Sequence, residues 1–394
     1  MKKTIIVAAV SGLFASAAHA QSSVTLYGLI DAGFAYANDV RQSASLDSDS
    51  KSLITARSGN INGSRWGLRG VEDLGAGLKG TFVLENGFDI MNGSLRQNGR
   101  MFGRQAYVGL GSEQAGTISL GRQYDSVVDF LGPLSLSGTE YGGTYAAHPF
   151  DNDNLNNSFR VNNSVKFTSA NFGGFRFGGQ YGFSNSSNFA NNRAWSAGLG
   201  YEYMGFNLAG AYFQGSNVGT TSSDVANAFY NLNSSGAVAE GTTATGRQRI
   251  FGGGISYKIN EGMLGFVYTQ SRNDDGTGSA GSNSLGLPAY VLNSTRFTNY
   301  EVNGRINLTP AWNIAAQYTY TDGKINALSG EDFKPKFHTA TLQTGYKLSK
   351  RTDAYVLGTF QKAKGDGSNA YINGVGVSNK ANQFVIATGV RHKF

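Results

Sequence analysis

The side chains that most often carry out acid–base chemistry at neutral pH are scarce in this sequence. Of its four histidines, one lies within the first twenty residues and the others are His148, His338 and His392. Hydrolysis would need a nucleophile with a base in reach, yet none of the three stands in a Gly-x-Ser-x-Gly or similar context. There is no cysteine and no histidine pair at ligand spacing, so zinc has no donor set. We therefore expect no enzymatic activity, no cofactor and no metal.

The charged residues exclude a second class of function. Lysine and arginine total 33 against 26 acids, a net charge of +7, but they are scattered singly rather than gathered in a basic run or RNA-binding motif. Nucleic acid is therefore not an expected partner. Two acidic groups, Asp47 with Asp49 and Asp151 with Asp153, could bind calcium weakly, although solvated loop charge is the simpler explanation.

Residues 1–20 have the three parts of a secretory signal peptide. Lys2 and Lys3 form a basic start, 5–18 is apolar or small, and Ala18-His19-Ala20 is a small-x-small cleavage site. The mature chain should begin at Gln21 and, without the two lysines, carry +5. An exported protein without cysteine cannot rely on disulfides, so its stability must come from backbone pairing and packing.

The rest of the chain, 21–394, is dominated by period-two alternation, which is typical of β-strands. In 175–183, for example, four aromatic side chains share one face while Arg176 and Gln180 lie on the other. Glycine accounts for 55 of 394 residues, roughly twice its average usage. No apolar run approaches the ~18 residues that a membrane helix needs. Any membrane-spanning structure must therefore be built from strands.

Sixteen alternating segments follow one another, at about 23–36, 57–71, 77–90, 100–111, 115–124, 160–169, 175–184, 193–203, 206–215, 248–259, 263–272, 296–308, 311–323, 336–349, 353–365 and 381–394. Connections after even-numbered segments are tight. Several after odd-numbered segments are long and polar, namely 37–56, 125–159, 216–247 and 273–295. This asymmetry predicts a 16-stranded antiparallel transmembrane β-barrel with short turns at one end and long loops at the other.

Two other all-β architectures fit the sequence less well. A soluble sandwich would have shorter strands, whereas these run about 10–14 residues and match a tilted bilayer crossing. A propeller would repeat a four-strand unit, and none is apparent. In a barrel, interior glycines such as those at 252–254 would suit a wide pore that nothing fills.

Five sequence stretches resemble those of the Gram-negative outer-membrane general porins. They are Ser-Ser-Val-Thr-Leu-Tyr-Gly at 22–28, Gly-Ser-Arg-Trp-Gly-Leu-Arg-Gly at 63–70 followed by Glu-Asp-Leu-Gly at 72–75, Gly-Arg-Gln-Ala-Tyr-Val-Gly-Leu at 103–110, Leu-Gly-Arg-Gln-Tyr at 120–124 and Gly-Val-Arg-His-Lys-Phe at 389–394. Each is weak alone, but together and in order they are specific. The resemblance implies a homotrimer of barrels in the outer membrane, each a water-filled channel for passive diffusion of small hydrophilic solutes and ions.

The resemblance also implies that the third long loop, 125–159, folds into the lumen and narrows it. Thr-Glu-Tyr-Gly-Gly at 139–143 is similar to the family's acidic constriction motif, with Thr139 in place of proline, so Glu140 would face the pore. The family often has a second acid four residues earlier, where this chain has Leu136. Asp125 and Asp129 lie nearer the loop base and could partly replace it.

Opposite this loop, porins place a ladder of arginines, which local matches assign to Arg65, Arg104 and Arg160. Arg69 and Lys166 are second choices, and Leu29 stands where some relatives have lysine. Arginines facing one carboxylate would create a transverse field in a poorly screened gap. With three arginines against one firmly placed acid, we expect mild anion preference.

The final strand ends in an apolar series that closes with Phe394, which suits a lipid-facing aromatic girdle. By resemblance, this terminal aromatic residue is also what the barrel-assembly machinery reads. The long loops at 216–247 and 273–295 are rich in Gly, Ser, Asn and Thr and leave open a second role in surface recognition.

Overall fold

The computed structural model describes residues 23–42, 49–185, 187, 189, 193–216, 247–274, 292–327, 330–365 and 369–394. Residues 1–20, with the predicted signal peptide, lie outside these ranges, as do most of the loops at 216–247 and 273–295 and also Asp47. In the described ranges, no helix is long and apolar enough to cross a membrane.

Sixteen antiparallel strands form a closed barrel, as the alternation predicted. In chain order they are β1 (Ser23–Arg41), β2 in two segments (Ser50–Ser58 and Arg65–Gly75), β3 (Leu78–Gly87), β4 (Gln105–Ser112), β5 (Gly116–Gln123), β6 (Val161–Ser169), β7 (Phe175–Gly182), β8 (Ala194–Tyr203), β9 (Phe206–Ser216), β10 (Arg247–Ile259), β11 (Gly262–Asp274), β12 (Leu292–Asn307), β13 (Trp312–Ala327), β14 (Lys336–Lys347), β15 (Thr352–Lys364) and β16 (Asn382–Lys393). Short two-residue strands, Asp332–Phe333, Tyr371–Ile372 and Gly376–Val377, lie in the connections.

The barrel closes where β1 pairs with β16, from Leu29 opposite Lys393 to Ala37 opposite Val385. Just beyond this ladder, the Gly28 N–H donates to the Phe394 carbonyl at 3.0 Å, and the Phe394 N–H donates to the Gly28 carbonyl at 3.1 Å. A Cβ on Gly28 would lie 2.3 Å from the Phe394 ring, so glycine leaves the space that this ring occupies beside β1. The terminal residue is therefore part of the closure.

The two faces of the wall differ in polarity as a transmembrane barrel requires. Alternate side chains on the outer face are large, apolar and about half exposed, including Leu110, Leu120, Leu199, Val302 and Ile386. The intervening side chains on the inner face are polar and buried, including Thr269, Asn299, Gln317, Thr341 and Gln383.

The first hairpin differs from the prediction of a long loop at 37–56. β1 continues to Arg41 and β2 begins at Ser50, so that loop is shorter than expected. β2 is then interrupted at 59–64, which turns inward. The Asp31 carboxylate stabilises this inward turn because it accepts hydrogen bonds from the Ile61 and Asn62 N–H groups at 2.9 and 2.8 Å.

The connection between β5 and β6, residues 124–160, lies inside the barrel; we call it the inner loop. It contains α1 (Ser126–Phe130), α2 (Gly143–Ala146) and 3₁₀ turns at Gly132–Leu134 and Pro149–Asp151. Apolar side chains of its two ends pack with inner-face residues of the wall in one buried cluster, comprising Val127, Leu131, Leu134, Leu155, Phe159, Val161, Ala194, Phe213, Ile250 and Val267.

The inner loop also shows that one expectation about the wall glycines was wrong. Gly252 and Gly254 do not border open space, because a Cβ on them would lie 3.1 Å from Leu131 and 2.9 Å from Leu134. Likewise, a Cβ on Gly198 would lie 2.4 Å from the Phe130 ring. The glycines on this side make room for the inner loop.

The last long connection also folds inward, which the sequence patterns did not predict. Its Tyr371 stacks on Phe150 of the inner loop with ring centroids 4.5 Å apart. The Asn373 amide donates to the carbonyls of Ala147 and His148 at 2.9 and 2.7 Å. The last long connection thus fixes the inner loop from the extracellular end of the barrel, in addition to the contacts that the inner loop makes with the wall.

The tip of the inner loop depends on Gly143, which has φ of +53°. A Cβ there would lie 2.1 Å from the Ile61 carbonyl of the inward turn. Gly143→Ala should lower thermal stability and increase single-channel conductance, because backbone strain of roughly 1–2 kcal/mol adds to a clash that displaces the tip. Gly93→Ala is the control, since Gly93 also has positive φ but no neighbour within 4 Å. Equal conductance in both variants would contradict this docking.

Candidate functional site: the pore constriction

Two of the predicted arginines share one carboxylate on the barrel wall. Arg104, just before β4, donates from Nε to Glu85 Oε1 at 2.6 Å and from NH2 to the Tyr124 hydroxyl at 2.8 Å. Arg65, at the start of the second segment of β2, has its Nε 4.0 Å from Glu85 Oε2. The Tyr27 hydroxyl also donates to Glu85 at 3.0 Å. Glu85 therefore holds both arginines in place while being neutralised by them.

Arg160, just before β6, has a different environment. Its guanidinium lies 5.1 Å from the centroid of the Tyr124 ring and donates from NH2 to Asn157 Oδ1 at 3.0 Å. The residue is only 3% exposed, and its Nε has no hydrogen-bond partner among the described residues. Arg160 is therefore a buried cation held by a ring and neutral acceptors, with hydrogen-bonding capacity left over.

Glu140 lies at the tip of the inner loop and pairs with the terminal strand. Its carboxylate forms an ion pair with Lys393, and the Arg391 NH1 donates to the Glu140 carbonyl at 2.9 Å. Burial opposes ionisation, but Lys393 and Arg391 outweigh it and hold the pKa of Glu140 below its usual value. The acid that we expected opposite the arginines is thus an anion with its own cation beside it.

Arg65, Arg104, Arg160 and Glu140 line one cavity of about 830 Å³ in the lumen. The structure therefore places four of the five predicted constriction residues around one cavity. Leu29, where some relatives have lysine, also lines the cavity.

Asp129 lies in a different part of the lumen. It lines a second cavity of about 610 Å³ together with Lys166 and Arg69, the two second-choice cations. Arg176 and Glu202, close to the short turns, border the same space. Asp129 forms an ion pair with Lys166. The structure thus groups Asp129 with a separate cavity on the short-turn side, and does not group it with the arginine ladder.

The two other positions considered for the acidic side are inside the inner loop. Asp125 is fully buried and accepts from the Val127 and Val128 N–H groups at 2.7 and 3.3 Å, so it caps the start of α1. Leu136 is also buried and packs with Ala146 and Ala315. Neither side chain offers a charge to solution in the pore.

The inner loop is fixed to the wall by a buried charged network around His148. The His148 Nδ1 lies 2.6 Å from Asp153 Oδ2, and its Nε2 lies 2.9 Å from Glu301 Oε2 on β12. Glu301 also accepts from the Ser135 hydroxyl and the Leu136 N–H, both at 2.8 Å. Burial alone would lower the pKa of His148, but Asp153 and Glu301 outweigh it and raise that pKa to about 10.

Several residues of the site were not found from the sequence. Glu85, Lys393 and Arg391 carry the charges that position the predicted residues. Alternation placed Arg391 and Lys393 on the inner face, but it gave no reason to join them to a loop 250 residues earlier in the chain. The sequence likewise gave no reason to pair His148 with Glu301 on β12. Its other partner, Asp153, lies only five residues further along the chain, so that contact is local.

A closed sixteen-stranded barrel with an apolar outer wall and a charged, loop-narrowed lumen defines a transmembrane diffusion channel. The family model described as Gram-negative porin matches residues 6–366, and the chain belongs to this family. It is accordingly an outer-membrane channel through which small hydrophilic solutes pass, with the short turns on the periplasmic side and the long loops outside.

Individual relatives agree with this assignment. An outer membrane porin protein of Bordetella pertussis is 33% identical, with 100% of each chain covered. Among solved structures, an anion-selective porin from Comamonas acidovorans has a TM-score of 0.71 at 24% identity, covering 95% of this chain and 100% of its own. OmpT of Vibrio cholerae in a trimer form has a TM-score of 0.60 at 16% identity, covering 95% and 99%.

The His148 network predicts a loss of stability at alkaline pH. A histidine pKa raised from about 6.5 to about 10 stabilises the folded state fully below pH 6.5, and this contribution is lost as the pH rises through 10. His148→Leu should remove that dependence and, by leaving two buried carboxylates without their cation, cost roughly 3–5 kcal/mol. Urea unfolding between pH 7 and 11 measures both effects.

His338→Leu is the control, because His338 lies on the outer wall and contacts the Tyr318 hydroxyl at 2.7 Å. It should retain the alkaline loss seen in the wild type. Parallel stability curves for wild type and His148→Leu across this range would contradict a charged His148.

Proposed function

We propose that this porin prefers anions and that Arg65, Arg104, Arg160 and Glu140 form its selective constriction. The observation that carries the proposal is the shared cavity, whose lining includes five cations and only two carboxylates, namely Arg65, Arg96, Arg104, Arg160, Lys393, Glu85 and Glu140. Arg96 has an additional partner in Asp89 at 2.8 Å. Cations thus outnumber anions along this passage.

The arrangement of these charges favours the same sign. Both carboxylates already have cations within contact, whereas Arg160 has only neutral acceptors and an aromatic ring among the described residues. Charges held in a narrow, partly desolvated space are poorly screened by solvent ions. The excess positive charge therefore lowers the electrostatic energy of a passing anion and raises that of a passing cation. The Comamonas acidovorans porin with this fold is described as anion-selective, which agrees with this sign.

The acidic side of the constriction is weaker than its arginine side. Glu140 carries the one carboxylate of the inner loop that lines the cavity, and Lys393 pairs with it. Asp129 is engaged by Lys166 in the second cavity, so we assign it to the entrance field on the periplasmic side. A dipolar solute would then meet two charged zones in succession.

We infer that the protein is a channel and not an enzyme. His148 is the buried histidine of the lumen, and both of its ring nitrogens face carboxylates. An imidazolium that donates from both nitrogens has no lone pair with which to activate a nucleophile. His338 and His392 lie on the outer face of the barrel, away from the pore.

We also propose that the chain is exported through its signal peptide, inserted with the help of the barrel-assembly machinery, and assembled as a homotrimer. The closure at Gly28 and Phe394 supports a role for the terminal residue in assembly. Deleting Phe394 should reduce the fraction of folded barrel in the outer membrane, measured by heat-modifiable electrophoresis.

Native mass spectrometry should give three chains per particle, as the trimer form of OmpT suggests. A dominant monomer would contradict the trimer.

Neutralising Arg160 tests the selectivity proposal. Arg160→Gln should lower the anion-to-cation permeability ratio by roughly two- to fivefold, because it removes one unpaired charge from the constriction. The reversal potential of the refolded channel in a planar bilayer under a KCl gradient measures this ratio. Arg351→Gln is the matched control and should leave the ratio unchanged, since Arg351 lies in the periplasmic turn after β14 and lines neither of the two cavities.

Neutralising Glu140 should shift the reversal potential in the opposite direction. Glu140→Gln leaves Lys393 without its carboxylate and removes one of the two acids beside Arg391, the other being Asp353, which strengthens anion preference. A reversal potential that does not move would place Glu140 off the conduction path. Cation selectivity in the wild type would overturn the proposed sign of the constriction.

A further inference from the structure

The outer wall carries an uninterrupted row of cations near its extracellular rim. In the strand registers of β10 to β13, Arg249 lies opposite Arg272, Arg272 opposite Arg296, and Arg296 opposite Lys324. All four positions belong to the outward-facing set of their strands, like Phe251, Tyr268, Tyr300 and Tyr320. Four neighbouring strands therefore present a positive charge to the same level of the membrane.

The row continues on the next two strands. Lys336 of β14 lies opposite Lys364 of β15, and Lys362 lies opposite His338. The three lysines are exposed. We call these seven residues the outer basic belt: Arg249, Arg272, Arg296, Lys324, Lys336, Lys362 and Lys364.

The belt lies at the border of the apolar wall. A row of rings, Tyr268, Tyr300, Tyr320 and His338, runs at nearly the same level on β11 to β14, with successive centroids 5.4, 6.2 and 5.1 Å apart. Exposed apolar residues such as Val302 and Phe360 follow two positions further toward the periplasm. Aromatic girdles mark the membrane interface, so the belt is at the level of lipid headgroups.

Like charges directly opposite one another destabilise a sheet unless an anion lies between them. Asp274 is such an anion for Arg249 and Arg272, and its Oδ1 lies 2.7 Å from the Arg272 Nε. Asp332 has the same role for Lys324, at 3.7 Å. Within the described part of the chain, no carboxylate forms an ion pair with Arg296, Lys336, Lys362 or Lys364. Asp322 lies opposite Lys336 in the strand register, but its single negative charge cannot balance the four cations just named.

We propose that the outer basic belt binds phosphate groups on anionic lipids of the outer leaflet. Charge complementarity supports phosphate, because guanidinium and ammonium groups bind it through several donors. Continuity with the lipid-facing wall supports a lipid, because acyl chains would cover the rings and apolar residues below while the phosphates reach the belt. A free phosphate ion would contact the cations of the belt but would leave the rings and apolar residues next to them uncovered.

Binding of purified lipid A, with its two phosphates, tests the site. Native mass spectrometry of the refolded wild-type protein in detergent counts bound lipid over a titration, and dephosphorylated lipid A is the comparison. We expect the phosphorylated form to bind roughly tenfold or more tightly. The variant Arg296→Gln, Lys336→Gln, Lys364→Gln should lose at least this factor, because each cation near the membrane surface adds attraction.

The matched control removes three cations from the opposite end of the barrel, with Lys347→Gln, Lys350→Gln and Arg351→Gln. These residues lie at the periplasmic end of β14 and in the turn that follows it, so the control should bind lipid A like the wild type. Should the belt variant fail to fold, Lys336→Gln with Lys364→Gln provides the same comparison, since it relieves an opposed pair of like charges.

Three results would overturn the proposal. Belt and control variants could bind lipid A equally, or the wild type could bind both forms of lipid A alike. The belt variant could also change the number of chains per particle while keeping lipid affinity, which would make the belt a contact between copies of this chain.

Discussion

Closure of the sheet between β1 and β16 is the constraint on which the rest of this structure depends. In hydrocarbon, every backbone N–H and C=O must be paired within the protein, and a sheet achieves this only when it has no free edge. The ladder from Leu29 to Ala37 and the two bonds between Gly28 and Phe394 meet that requirement. Once the sheet is closed, alternation decides which side chains face lipid and which face the lumen, so the chemistry of the pore follows from the parity of each strand.

A lumen lined by polar side chains creates the second problem, which is how to hold a long loop inside without a conventional hydrophobic core. The inner loop solves it with two kinds of contact. Its ends pack apolar side chains on wall positions kept small by glycine, such as Gly252 and Gly254. Its middle is fixed by buried charges in matched sets, His148 with Asp153 and Glu301, because a buried charge is tolerated only when it is paired.

The strands were predictable from the sequence because their determinant is local. A period of two, tight turns and strand length are all visible within a dozen residues, and they gave sixteen strands in the observed order. Short motifs suggested Arg65, Arg104, Arg160 and Glu140, which the structure places around one cavity. Glu301 was missed because its partner His148 lies far away in the chain and reaches it only through the way the loop lies in the lumen. Glu85 was missed because its contacts with Arg65 and Arg104 cross between neighbouring strands, and such contacts depend on the strand register. The break in β2 was missed for a related reason: it needs Asp31, a residue of the preceding strand, to bind its N–H groups.

Arginine shows how one side chain acquires different roles from its surroundings in this barrel. Arg104 is buried against Glu85, so its charge is used internally and its position is fixed. Arg160 is equally buried but rests on a ring and neutral acceptors, so its charge remains available to a solute in the lumen. Arg296 faces outward among other cations, where neither burial nor a nearby carboxylate in the described residues compensates it. In our proposals, the same guanidinium is therefore structural in Arg104, selective in Arg160 and ligand-binding in Arg296, because its counter-charge comes from the protein, the permeating solute and the membrane, respectively.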